Sequence, residues 1–83
     1  MTGYPTFAQI REKLPGITAE QMAQQMGMPF SSYRALEYEQ NPVRPVHQQA
    51  MRYALLRFVC EGKAQLAQLP WDVQETVRAL KQV

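Results

Sequence analysis

The sequence contains one cysteine, Cys60, and one histidine, His47, which are the residue types of a cysteine nucleophile and its base. They lie 13 positions apart in one predicted helix, a separation of roughly 20 Å at ~1.5 Å per residue. A catalytic pair needs hydrogen-bonding distance, so these two side chains cannot form a dyad. One cysteine and one histidine also fall short of the usual zinc ligand sets. We therefore expect no enzyme, no metal site and no cofactor.

A different chemistry is indicated by a short predicted helix that begins at Pro29. Tyr33 and Leu36 are its inward positions. An arginine on the outward face can donate two hydrogen bonds to guanine O6 and N7, and a serine can donate to bases or phosphates. The outward positions are Pro29, Phe30, Ser31, Ser32, Arg34, Ala35 and Tyr38.

The spacing of apolar residues predicts the helices that position these side chains. Thr18 and Gln21 form a capping box at the start of one helix, and Gly27 stands where a left-handed residue is expected at its end. Two short helices joined by a tight turn containing glycine are typical of a helix-turn-helix. The predicted helices span residues 7–14, 18–26, 29–38, 46–60 and 70–83, with a short helical turn or a loop at 63–69.

Residues 18–37 resemble the helix-turn-helix of the phage Cro/C1 repressor family, also called the XRE family. Thr18, Ala23, Gly27 and Glu37 match the family pattern in identity. The resemblance implies an all-α, five-helix, lambda-repressor-like domain in which helices 2 and 3 form the DNA-binding motif. It extends from about Phe7 to Phe58. The apolar positions that match in type are Met22, Met26, Met28, Tyr33 and Leu36.

The resemblance also implies which residues contact DNA. The positions that face bases correspond to Phe30, Ser31, Ser32, Arg34 and Ala35. The positions that contact phosphates correspond to Thr18, Ala19, Tyr38, Gln40, Asn41 and Arg44. Two positions depart from the family pattern: Ala19 stands where glutamine is common, and Phe30 stands where a polar residue is usual.

Several of these side chains have a second interpretation. Phe30 is predicted to contact a thymine methyl group, to pack back onto the domain or to contact a protein. Arg34 contacts DNA or forms an ion pair with Glu37, and Tyr38 contacts a phosphate or is an exposed end residue. In family members the glutamate at the Glu37 position pairs with an arginine of helix 1, which implies a structural pair between Glu37 and Arg11.

The whole chain, residues 1–83, is predicted to form a single domain with its core in residues 6–62. We expect residues 70–83 to form a dimerisation helix or to complete the monomer core. The composition, 46% hydrophobic and 19% charged, is globular. No apolar run is long enough for a membrane span, and the single cysteine favours a reducing, cytoplasmic location. The dimerisation stripe consists of Trp71, Val73, Val77 and Leu80.

The sequence thus predicts a small phage- or prophage-type transcriptional repressor that binds a palindromic double-stranded DNA operator as a homodimer. No small-molecule ligand is evident. The net charge of +2 favours an anionic partner only weakly. The alternative is an antitoxin-like or adaptor module that uses the same helices to bind a protein. The net negative charge of residues 1–40 and the apolar Phe30 favour this alternative.

Overall fold

The computed structural model describes residues 4–81, which form five α-helices and a short 3₁₀ helix. Those residues contain no β-strand, so the all-α prediction is confirmed for this part of the chain. The 3₁₀ helix, Leu66–Gln68, lies in the segment whose structure the sequence left open. The α-helices are α1 (Phe7–Glu12), α2 (Ala19–Met26), α3 (Phe30–Glu37), α4 (Pro45–Cys60) and α5 (Trp71–Leu80).

The predicted helix ends differ from the structure at several prolines and turns. Pro45 is the first residue of α4, since a residue in the first helical turn needs no N–H donor. Pro29 precedes α3 with extended backbone rather than lying inside it. α1 ends at Glu12, two residues before its predicted end, and Leu14 is buried beyond it. The last two residues of the predicted 70–83 helix lie outside the described residues.

The N-termini of α1 and α2 are closed by reciprocal hydrogen bonds. Thr18 Oγ1 accepts the Gln21 N–H at 3.1 Å, and Gln21 Oε1 accepts the Thr18 N–H at 2.9 Å. Thr6 and Gln9 repeat this arrangement at α1. These bonds satisfy backbone donors that the first helical turn leaves unpaired. The capping box predicted at Thr18 is therefore confirmed, and it defines where α2 begins.

The turn between α2 and α3 depends on Gly27, whose φ is +76°. The N–H groups of Gly27 and Met28 donate to the carbonyls of Gln24 and Ala23, each at 3.1 Å. These two bonds close the end of α2 in a left-handed cap. The predicted left-handed residue is confirmed, and α3 can start three residues later against α2.

The core is one cluster to which all five α-helices contribute. α2 is central, since it packs against both α3 and α4, while α1 packs against α3. α4 is not covered on all of its apolar positions, since Val46 and Tyr53 are exposed. The buried hydrophobic residues are Phe7, Ile10, Leu14, Ile17, Met22, Ala23, Tyr33, Leu36, Met51, Ala54, Leu55, Phe58, Ala64, Leu69 and Val73.

No helix within residues 4–81 has the length and apolar character that crossing a membrane requires.

Candidate functional site

The outer face of α3 carries most of the side chains predicted to face bases. Tyr33, Leu36 and Glu37 point into the protein and are buried. Ser31 and Ser32 are exposed in the first turn, and Phe30 precedes them with 40% of its surface exposed. The two remaining predicted positions, Arg34 and Ala35, are half-buried. The face is thus exposed most strongly at the start of α3.

A buried charged network fixes the inner face of α3. Arg11 of α1 donates to both carboxylate oxygens of Glu37, from Nε at 2.7 Å and from Nη2 at 2.9 Å. The Tyr33 hydroxyl donates to Glu37 Oε2 at 2.7 Å. The Arg11 hydrogen bonds hold the pKa of Glu37 below its ordinary value despite burial, and the Tyr33 bond acts in the same direction. The predicted pair of Arg11 and Glu37 is therefore present, with Tyr33 as a third member.

Arg34 stacks on two aromatic rings of its own helix face. Its guanidinium carbon lies 5.3 Å from the ring centroid of Phe30 and 4.5 Å from that of Tyr38. Both distances are within the range of a cation–π contact. The alternative ion pair of Arg34 with Glu37 is not formed, because the Glu37 carboxylate is bonded to Arg11 and Tyr33. Phe30, Arg34 and Tyr38 are spaced i, i+4, i+8, and we call them the α3 stack.

A second group of polar side chains surrounds a depression of about 330 Å³ beside α3. Ser32 lies on one side, Asn41 and Arg44 come from the loop before α4, and His47 comes from the first turn of α4. The Arg44 backbone N–H donates to His47 Nδ1 at 3.0 Å, so a neutral His47 carries its proton on Nε2. All four side chains can donate hydrogen bonds, and the depression has no acidic residue in its wall.

The remaining predicted phosphate contacts do not line this depression. Thr18 and Ala19 lie at the start of α2. Gln40 is exposed after Glu39, a left-handed residue with φ of +61°. The Gln40 N–H donates to the Ala35 carbonyl at 2.9 Å, which closes the end of α3. The structure thus groups Ser32, Asn41 and Arg44, and places the other predicted contacts elsewhere on the surface.

The predicted dimerisation stripe is not one continuous exposed surface. Trp71 and Leu80 are 70% and 64% exposed, and Val77 is half-buried. Val73 is 2% exposed in the core of its own chain, so its assignment to a dimer interface is wrong. At 100° per residue, Trp71 lies about 180° from Leu80 around α5, so the two do not share a face. Leu80 remains exposed on the side of α5 that turns toward the protein body at Val73.

Two features of this region were missed or misjudged from the sequence. His47 was not named among the predicted contacts, yet it is half-buried and contributes to the polar depression. The i, i+4, i+8 spacing of the α3 stack was visible in the sequence as a signal that these side chains could touch.

Groups of histidine, cysteine and carboxylate side chains suited to a metal ion are absent from the described residues. No protein-family model, curated protein or solved structure matches this chain. A functional interpretation must therefore rest on the residues and their geometry.

Proposed function

We propose that this chain is a sequence-specific DNA-binding transcriptional repressor of the Cro/C1 type. In this proposal α2 and α3 form the helix-turn-helix of a lambda-repressor-like domain, and α3 is the recognition helix. One observation carries the proposal. The network that Arg11 and Tyr33 form with the buried Glu37 holds one face of α3, while the opposite face exposes polar side chains at its start.

A helix held in this way fits the major groove, where its N-terminal residues reach base edges. Arg34 would donate two hydrogen bonds to a guanine, and Ser31 and Ser32 would donate to bases or phosphates. Ala35 and the free edge of Phe30 would contact thymine methyl groups. These contacts come from the first six residues of one helix, so each protomer reads only a few base pairs.

The depression beside α3 supports contacts to the DNA backbone. Ser32, Asn41, Arg44 and His47 offer donors from three successive segments, and no carboxylate repels a phosphate there. At the start of α2, the backbone N–H of Ala19 and the hydroxyl proton of Thr18 would reach another phosphate, since the Thr18 N–H is already bonded to Gln21. Gln40 would contact the backbone beyond the end of α3, whereas the Tyr38 ring faces the Arg34 guanidinium. Such contacts would fix the position of α3 in the groove.

The small recognition surface favours a homodimer on a palindromic operator. Two recognition helices must then lie one DNA turn apart, about 34 Å. α5 would set that distance through its exposed apolar residues, chiefly Leu80. Repression would follow from occupancy of the operator, which blocks access of the polymerase to the promoter.

A second candidate function, binding of a protein partner by the same helices, is favoured by the exposed rings of Phe30 and Tyr38. Tyrosine and arginine are enriched at the centres of protein interfaces, and here they adjoin each other. An antitoxin-like or adaptor protein could mask its partner with this surface. Binding of this kind would depend little on salt, whereas neutralising phosphates makes DNA binding steeply salt-dependent.

The proposal can be tested by selecting binding sites from random double-stranded DNA with the wild-type protein. Affinities for the selected site are then measured at two salt concentrations for the wild type, Arg34→Ala and Arg57→Ala. Arg57 is an exposed arginine at the far end of α4 and serves as the matched control. We expect Arg34→Ala to weaken binding roughly 5- to 150-fold, the range of one good bidentate base contact, and Arg57→Ala to bind like the wild type. Failure to enrich any site would contradict the proposal and favour the protein-partner function.

A further inference from the structure

The orientation of Arg34 is restricted by two aromatic neighbours on the same side of α3. Phe30 precedes it by one helical turn and Tyr38 follows it by one, so a ring flanks it in each direction along α3. The guanidinium carbon lies within 5.3 Å of both ring centroids. A guanidinium stacks well on aromatic faces because it is planar and weakly hydrated.

The hydrogen-bonding atoms of Arg34 are not equivalent in this arrangement. Its Nε is buried and has no hydrogen-bond partner in the described residues. An enclosed Nε cannot reach a DNA base unless the stack opens. The two terminal nitrogens, Nη1 and Nη2, therefore remain as the pair that can donate outward.

We propose that Phe30 and Tyr38 are positioning residues that hold Arg34 as a preformed fork for guanine. This inference rests on the proposed DNA-binding function and names a specificity device within it. The fork would donate from Nη1 and Nη2 to guanine O6 and N7. Tyr38 then acts chiefly through its ring face rather than through a phosphate contact of its hydroxyl.

The physical gain from the stack is preorganisation. A free arginine side chain loses much rotamer freedom when it binds a base, and this loss weakens binding. A guanidinium already held between two rings has lost part of that freedom before DNA arrives. The stack should therefore increase both affinity for the operator and discrimination in favour of guanine.

The test compares the DNA site selected by the wild-type protein with a set of altered sites. In each altered site one half-site guanine is replaced by 7-deazaguanine. 7-Deazaguanine lacks the N7 acceptor but keeps the Watson–Crick edge that pairs with cytosine. The variants are Phe30→Leu, Tyr38→Leu, Tyr38→Phe, Arg34→Ala and the double variant Tyr38→Leu/Arg34→Ala. Thermal unfolding of each variant checks that the fold is retained, which we expect because both rings are substantially exposed.

We expect the affinity of the wild-type protein to fall when N7 is removed from one particular guanine of each half-site. Phe30→Leu and Tyr38→Leu should each lower operator affinity roughly two- to fivefold, in line with an exposed cation–π contact, and should reduce the sensitivity to 7-deazaguanine. Tyr38→Phe keeps the ring face and should bind like the wild type. In the Arg34→Ala background, Tyr38→Leu should have no further effect.

Three results would overturn this inference while leaving DNA binding intact. Tyr38→Phe could weaken binding as much as Tyr38→Leu, which would assign Tyr38 to a phosphate through its hydroxyl. Tyr38→Leu could weaken binding equally with and without Arg34, so that its ring acts independently. Both leucine variants could keep full sensitivity to 7-deazaguanine. If the wild type selects no DNA at all, the proposed function itself fails and this inference fails with it.

Discussion

Glu37 is the single charged residue buried in the described part of the chain, and it joins α1 to α3 through Arg11. In Glu37→Gln an amide replaces the carboxylate, so it can accept at one atom only and its NH₂ group faces the Arg11 donors. We expect a loss of about 1–3 kcal/mol in the free energy of unfolding. The loss should stay below that of a fully buried pair, because the Arg11 side chain is 31% exposed. Urea denaturation at neutral pH measures it.

A matched control for Glu37→Gln is Glu61→Gln, which changes an exposed carboxylate. Glu61 pairs with Arg57 at 3.4 Å and with Lys63 at 3.6 Å, and it accepts a hydrogen bond from Gln25 at 3.2 Å. Exposed i, i+4 pairs contribute only about 0.3–0.5 kcal/mol. The pKa of Glu37 is lowered by folding. Its stabilising effect is therefore complete above the ordinary carboxyl pKa of about 4.3 and is lost as the pH falls below that value. The difference between wild type and Glu37→Gln should shrink over that acidic range. Equal stability of the two proteins at pH 7 would contradict a structural role for the pair.

At the residue scale, the sequence predicted which residues lie on each face of a helix better than it predicted which side chains contact each other. The pair of Arg11 and Glu37 followed from the resemblance of residues 18–37 to a known family. The stacking of Arg34 did not, since a long side chain has several neighbours within reach. Spacing of i and i+4 shows which side chains can touch. The hydrogen bonds of Glu37 to Arg11 and Tyr33 decide which of these contacts form. Arg34 is thereby left to the two rings.

Among the structural elements, the turn between α2 and α3 should be sensitive to a single methyl group. Gly27 has a φ of +76°, and a Cβ added there meets no atom within 4 Å. The cost of Gly27→Ala is therefore backbone strain alone, and we expect a loss of about 1–2 kcal/mol in unfolding free energy. Gly16 offers a matched control, because a Cβ there also meets nothing and its φ is not positive. Gly16→Ala should be neutral or stabilising by up to about 1 kcal/mol, through the unfolded chain.

Thermal or urea unfolding of the two alanine variants separates the effect of backbone conformation from the effect of steric contact by the added Cβ. If Gly16→Ala were as destabilising as Gly27→Ala, the left-handed backbone would not be the cause of the loss. Operator affinity gives a second measurement, since a distorted turn would also misplace α3. We expect Gly27→Ala to weaken binding at temperatures where it remains folded, and Gly16→Ala to leave binding unchanged.

The existence and order of the helices could be predicted from the sequence, whereas several ends could not. Capping residues such as Thr18 and Gly27 act on their own backbone neighbours, so their effect is local and can be predicted from the sequence. Pro45 is compatible with both a loop and a first helical turn, and only packing of α4 decides between them. The exposure of Val46 and Tyr53 on α4 depends on how much of that helix the rest of the chain covers. No local pattern contains that information.

At the scale of the whole molecule, the position of α5 determines which of its apolar residues remain available. Its stripe begins buried at Val73, is half-buried at Val77 and is exposed at Leu80. The sequence predicted one uniform stripe because helical spacing carries no information about where the body of the protein ends. A second copy that covers Leu80 would complete the burial of this stripe and couple dimerisation to the C-terminal end of α5.

We therefore expect Leu80→Glu to shift the protein from dimer to monomer and to weaken operator binding, with little change in the stability of the monomer. Burying a charge in an apolar contact is unfavourable, whereas an exposed residue contributes little to the fold of its own chain. Ala79→Glu is the matched control: it places the same charge in the same exposed turn of α5, but on another side of the helix. Both variants have the same interaction with the helix end, so a difference between them isolates the contact surface.

Sedimentation velocity over a range of protein concentrations would measure the association of the three proteins. Dimerisation of the wild type and Ala79→Glu, together with a monomeric Leu80→Glu, would place Leu80 in the interface. Equal dimerisation of all three would move the interface elsewhere, and Trp71 on the opposite side of α5 would be the next residue to change. If Leu80→Glu were monomeric yet bound a full operator as tightly as the wild type, dimerisation through α5 would not set the spacing of the two recognition helices. A single protomer would then have to bind without a partner, which its small recognition surface makes difficult.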